Sequence, residues 1–234
     1  MKLPTLILGI ALSLSNHVNA QDKDKDNAIL STVITTAPST ELLEVEYKTF
    51  YSHTRKLSGD DITALRFAFG FTNIHADNSL CHIDNAYIHT QKVDIPLTVS
   101  AEQRFSIPSE KALRLADAKV VLALREQANH CDINVQIETL PEYLKEQYTQ
   151  ADMSFMLNQY MAFFDEMGGF MSFLMPQVSG LQLRFDDDNL NADLGNQLTI
   201  VQGILRLSKA QIGALKDITL PHAPLRITAL TESK

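Results

Sequence analysis

The period of hydrophobic positions changes several times along the chain. Leu3 to Leu14 form a predominantly apolar run, after which Gln21 to Glu41 alternate Asp with Lys and then pass through Ser, Thr and Pro without periodicity. So little apolar surface cannot offset the entropy of ordering, and residues 21–41 are expected to form a flexible tail. From Leu43 the positions Leu43, Tyr47, Phe50, Tyr51, Thr54 and Leu57 recur at helical spacing until Ser58-Gly59-Asp60-Asp61 interrupts them, which predicts a first helix. Leu65, Phe67, Phe69 and Phe71 then alternate with Arg66, Ala68 and Gly70, the period of a strand.

Cys81–His89, Val93–Val99 and Gln103–Ile107 are further strand-like runs, with Pro96 suited to an edge. Pro108-Ser109 introduces a brief helix over Lys111–Ala116, followed by β-branched runs at Lys119–Leu124 and Cys131–Ile137. Connections this short do not accommodate parallel crossovers, so an antiparallel meander is expected. Pro141 can open a long helix reaching Met167, where Gly168-Gly169 breaks it, and a short helix Phe170–Met175 should end before Pro176. Strands are expected at Leu181–Phe185, Leu198–Val201 and Leu225–Leu230, and no internal repeat is present. The class is α+β: one domain over residues 42–234, an antiparallel sheet covered by helices, with 181–234 either joining the main sheet or forming a C-terminal β sub-lobe.

The N-terminal run has a specific reading. Lys2 supplies a basic start, the apolar stretch is of signal-peptide length, and Val18-Asn19-Ala20 places small residues before polar Gln21. A membrane span needs about 20 apolar residues, more than this run provides before Ser15 and Asn16. Residues 1–20 are therefore expected to be a signal peptide cut after Ala20, leaving an exported periplasmic protein with no transmembrane segment.

Charge narrows the partners. The chain carries 20 Lys and Arg against 28 Asp and Glu, net −8, and shows no run of basic residues. Nucleic acid is disfavoured on both grounds, and an anionic membrane surface would repel the net charge, although a local face can still dock. With 45% apolar residues the chain can bury one full core.

Cys81 and Cys131 are the only cysteines, and an even count in an exported chain predicts a structural disulfide. Closing a loop of about 50 residues would stabilise the fold by roughly 4 kcal/mol in the chain-entropy treatment. The flanking residues are mirrored, Cys81-His82 and His130-Cys131. If the two strands paired with the cysteines opposite, His82 and His130 would face each other and could share a Zn or Cu ion. Without a third ligand, solvated surface histidines are the better account, and no cofactor is expected.

Six of seven methionines lie between Met153 and Met175. Met153, Met156, Leu157, Tyr160, Phe164 and Met167 make a broad apolar stripe, and Met153, Met156, Tyr160, Phe164, Met167, Phe170 and Met171 are the candidate surface for an apolar ligand or an envelope partner protein. Clustered thioethers at Met167, Met171 and Met175 also admit a copper-handling reading, against which stands packing by Met and Phe. Burial of this segment against the sheet is favoured over exposure. Asp187, Asn189 and Asn191 imitate the start of a calcium loop, but Ala192 replaces the turn glycine and Leu198 the closing glutamate, so a solvated hairpin loop is expected. No nucleophile elbow, zinc-binding helix motif or phosphate loop occurs, which leaves only dispersed pairs such as His53 with Asp60 or His75 with Asp77 for an enzyme.

Tyr47–Phe185 resembles a family of uncharacterised exported gamma-proteobacterial proteins, known as a domain of unknown function. The resemblance rests on the aromatic helix Tyr47–Leu57, on Cys81-His82-Ile83, on Ile107-Pro108, and on Pro176 with Gly180 before Leu181–Phe185. It implies export and a disulfide-compatible fold, and it supplies no catalytic residue. The expected function is a non-catalytic binding or interaction module of the cell envelope, with a small periplasmic hydrolase as the alternative and copper handling third.

Overall fold

The computed structural model describes residues 40–57, 61–77, 79–168 and 176–232. The expected signal peptide, most of the tail and the short helix Phe170–Met175 lie outside these residues. Strand β1 (Glu41–Glu46) leads directly into helix α1 (Tyr47–Thr54), which tightens into a 3-10 turn, Arg55–Leu57. The helix expected from Leu43 thus starts later. Leu43 and Val45 are half-buried and Glu44 and Glu46 exposed, a period of two that serves a strand paired with β5 (Lys119–Leu124).

Strands β2 (Leu65–Asn73), β3 (Ile83–His89) and β4 (Asp94–Pro96) follow, then helix α2 (Lys111–Leu115), β5 and β6 (Cys131–Thr139). All pairings are antiparallel, but the expected meander does not form: one sheet has the order β1-β5-β3-β4, and β2 pairs with β6. Short connections restrict strand direction without selecting the partner. Phe67, Phe69 and Phe71 of β2 are buried together with Ala68 and Gly70 on the opposite face, so the strand needs a mate along its whole length, and β6 supplies nine residues for nine. Pro96 ends the edge strand β4, where its missing N–H is harmless. Of Gln103–Ile107 only Phe105 bridges, to Phe69.

Helix α3 (Gln150–Gly168) also begins later than expected. Pro141–Tyr143 is a 3-10 turn, and the short strand β7 (Gln147–Thr149) precedes the helix. The start is fixed by a reciprocal cap: the Asp152 carboxylate accepts from the Thr149 backbone N–H at 2.8 Å, while the Thr149 hydroxyl oxygen accepts from the Asp152 N–H at 3.2 Å. Beyond α3, strands β8 (Gln177–Arg184), β9 (Ala192–Asp193), β10 (Thr199–Val201), β11 (Ile204–Ser208) and β13 (Arg226–Glu232) form a five-stranded sheet of order β13-β8-β11-β10-β9. Helix α4 (Lys209–Ala214) and β12 (Asp217–Thr219), which pairs with β7, complete it.

Gly180 sits where β8 meets β11. A Cβ there would lie 1.9 Å from the Leu207 carbonyl oxygen, so only glycine allows this approach. Tyr160 of α3 links the layers from inside the core. Its hydroxyl donates to the Ile227 carbonyl at 2.6 Å and shares a hydrogen bond with Thr139 at 3.0 Å.

Candidate functional site

Helix α1 divides its residues by face. Tyr47, Phe50 and Thr54 are buried, and Phe50 packs edge-on against Phe69 and Phe105. The opposite stripe, Lys48, Tyr51, Ser52 and Arg55, follows the i, i+3, i+4, i+7 pattern and forms one wall of a cleft of about 590 Å³, with Lys111 and Arg114 of α2 as the other. Among the described residues, four cations line this cleft and no carboxylate does.

Tyr47 holds the two walls together. Its backbone N–H donates to the Ala118 carbonyl at 2.9 Å. Its hydroxyl donates to the Pro108 carbonyl and accepts from the Glu110 N–H at 2.9 Å. One side chain thus grips the entry to α2 while its main chain grips the exit. Burial raises the pKa of this phenol, which keeps it in the donor form.

The charges differ in their partners. Lys48 pairs with Glu46 at 2.5 Å, and that contact raises the pKa of its ammonium. Among the described residues, Arg55, Lys111 and Arg114 make no ion pair. The Arg114 guanidinium stands 5.7 Å over the Tyr51 ring, which orients it without neutralising it. Ser52 donates its hydroxyl to the Thr49 carbonyl. The arrangement offers charge-assisted donors to an anion and no activated nucleophile.

The sequence profile of the family described as "Protein of unknown function (DUF2987)" matches residues 39–185. The chain belongs to that family. The DUF2987 match runs from the residues before β1 to the end of β8, so both walls of the cleft and both cysteines lie within it, whereas β9 to β13 lie beyond it. No match is found among curated proteins or among solved structures.

The disulfide is present, with Sγ–Sγ 2.09 Å and Cα–Cα 6.2 Å. A ladder with the two cysteines opposite, the condition for His82 and His130 to face each other, is not. Both edges of β2 are occupied: β6 takes one, placing Cys131 opposite Asn73, and the other accepts from the Cys81 N–H at the Phe71 carbonyl. His130 instead meets His75, ring centroids 4.3 Å apart, and His82 contacts Asp84 at 3.2 Å. Among the described residues the one grouping of three ligand-type side chains is Cys81, Glu126 and Cys131, whose sulfurs are already bonded to each other.

On α3, Met153, Met156 and Tyr160 are buried, Phe164 and Met167 are half-buried against the core, and Phe170, Met171 and Met175 lie outside the described residues. The exposed large apolar side chain of this helix is Phe155, 38% exposed, whose ring lies 5.7 Å from Tyr143 beside a cleft of about 240 Å³ that Tyr148 and Met156 also line. In the calcium-like loop the polar groups bind the chain itself. Asp187 accepts from the Asn189 N–H, Asn191 accepts from the Gln202 N–H, Asp188 pairs with Arg184, and Asp186 pairs with His222.

Of the dispersed pairs, His53 packs against Phe67 and Phe69, and burial lowers its pKa. Asp60 lies outside the described residues. Among the described residues no serine, threonine or cysteine side chain hydrogen-bonds a histidine; the side-chain partners of His82, His89 and His222 are aspartates.

Sequence reading missed the cleft because its cations come from segments some sixty positions apart, so no run of basic residues announces them. The available signal was the stripe Lys48, Ser52, Arg55 on the face of α1 opposite Tyr47, Phe50 and Thr54.

Proposed function

We propose that this protein is a non-catalytic binding module of an oxidising compartment outside the cytoplasm, exported through residues 1–20, and that it holds an anionic ligand between α1 and α2. The carrying observation is a cleft with four cations and, among the described residues, no acidic lining, in a chain of net charge −8. Phosphate, sulfate and carboxylate groups all meet that requirement. The cleft is open rather than enveloping, which suits a ligand presenting charge along a surface better than a small molecule buried on most of its area.

The test is thermal unfolding with pyrophosphate in low-salt buffer, comparing the native chain with a Lys111→Glu, Arg114→Glu double variant. Saturable stabilisation that disappears in the variant and weakens with added salt is expected. Stabilisation of equal size in both proteins, or none in either, would overturn the reading. The aromatic cleft of Tyr143 and Phe155 favours a second reading, an apolar or aromatic ligand seated against α3.

A further inference from the structure

We infer that the α1–α2 cleft docks the protein peripherally on a bilayer surface rich in anionic phospholipid, with Leu115 entering the headgroup region. This deepens the anion-binding reading and rests on it.

The second observation is Leu115 itself. It ends α2 and is 67% exposed, more than any other large apolar side chain among the described residues. It follows Arg114 and stands four residues from Lys111, so the helix that forms one wall of the cleft also carries an exposed apolar tip. A dissolved phosphate or sulfate gains nothing from such a tip. A lipid surface rewards both features together, with charge attraction to headgroup phosphates and burial of apolar area at the acyl boundary.

The tip is also held firmly. Leu113 packs against the core, the Ala118 N–H donates to the Leu113 carbonyl at 3.1 Å, and Tyr47 bonds on both sides of α2. Presenting Leu115 therefore costs little further ordering. Acidic groups set the limits of the patch: Glu46 and Asp117 line an adjoining cavity of about 140 Å³ with Lys48, Arg114 and Lys119. Attachment is confined to the cleft mouth rather than spread over the domain. No described helix is long and apolar enough to cross a membrane, and a docked surface needs none.

Each cation near an anionic surface raises partitioning roughly five-fold, and withdrawing one leucine from the interface lowers it by about ten-fold or more. The experiment is flotation of the full processed chain with vesicles of phosphatidylcholine alone and of phosphatidylcholine mixed with phosphatidylglycerol, in low salt. The proteins compared are the native chain, Leu115→Ser, and the Lys111→Glu, Arg114→Glu pair. Native protein should float with the mixed vesicles only. Leu115→Ser should lose about ten-fold in vesicle binding while keeping its stabilisation by pyrophosphate, and the charge pair should lose both. All three positions are exposed, and matching far-UV circular dichroism confirms that the variants fold.

Stabilisation by pyrophosphate without flotation would overturn docking while leaving the cleft as a site for a soluble anion. Flotation that ignores phosphatidylglycerol or Leu115→Ser would overturn it as well. So would binding to an acidic polysaccharide that is unaffected by Leu115→Ser and exceeds binding to vesicles.

Discussion

Replacing Tyr160 with phenylalanine removes one oxygen from the core and should cost far more than its size suggests. Tyr160 and Thr139 are both fully buried, and the phenol bonds the Ile227 carbonyl at 2.6 Å and the Thr139 hydroxyl at 3.0 Å. Phenylalanine preserves the packing but strands a carbonyl and a hydroxyl away from water. A buried polar group left without a partner costs about 1–3 kcal/mol, and the Thr139 hydroxyl retains some freedom to rotate, so the expected loss is about 2–3 kcal/mol. Thr139→Val deletes one bond and leaves the phenol its stronger one, costing about 1 kcal/mol. In the double variant the stranded hydroxyl is gone, and the combined cost should fall short of the sum by about 1 kcal/mol. Urea unfolding followed by far-UV circular dichroism reads each value, and the single Tyr160→Phe change corresponds to a fall in Tm of roughly 4–10 °C. A cost below about 0.5 kcal/mol, or strictly additive costs, would refute the claim that this hydroxyl ties α3 to both β6 and β13.

Three further outcomes follow from the same geometry. Gly180→Ala places a carbon 1.9 Å from the Leu207 carbonyl oxygen, so β8 and β11 must separate; soluble yield and Tm should fall sharply, and a near-native Tm would contradict the close approach. The pKa of Asp152 is held below its ordinary value first by the Thr149 backbone N–H and then by Lys145. The unfolded chain therefore takes up this proton first as pH falls, so the stabilisation is present above the ordinary carboxyl pKa of 3.8 and is lost as pH falls through the lower folded value. Asp152→Asn should remove about 1 kcal/mol at neutral pH and flatten this part of the acid slope in urea midpoints; an unchanged slope would count against the cap. Tyr47→Phe keeps every charge of the cleft but frees Pro108 and Glu110, so pyrophosphate affinity should drop several-fold by calorimetry, whereas unchanged affinity would mean that α2 needs no clamp.

Local periodicity carried the element types well and the partners poorly. β5 runs over Lys119–Leu124 as the β-branched run suggested, and the disulfide joins the two cysteines that the even count predicted would pair. The β2–β6 pairing was hidden because it is decided by mutual burial between residues 58 to 74 positions apart, which no local window contains. The late start of α3 was concealed by Pro141, whose turn-forming preference is real but is used in a 3-10 turn, while the Thr149–Asp152 box that opens the helix contains only ordinary polar residues. β11 and α4 had no counterpart among the expected elements, although Ser208 and Gln211 form a capping box. The inner members of the methionine stripe, Met153 and Met156, serve the core, and the proposed anion cleft draws instead on the outer face of α1, where spacing without a known motif gave no cue.

The most direct test of the central claim is to titrate isotopically labelled protein with pyrophosphate and follow its backbone amides by nuclear magnetic resonance. The account predicts saturable shifts concentrated at residues 47–56 and 110–118, with the Tyr143–Phe155 cleft and the five-stranded sheet unmoved. Shifts centred elsewhere, or scattered over every exposed Lys and Arg without saturation, would contradict it.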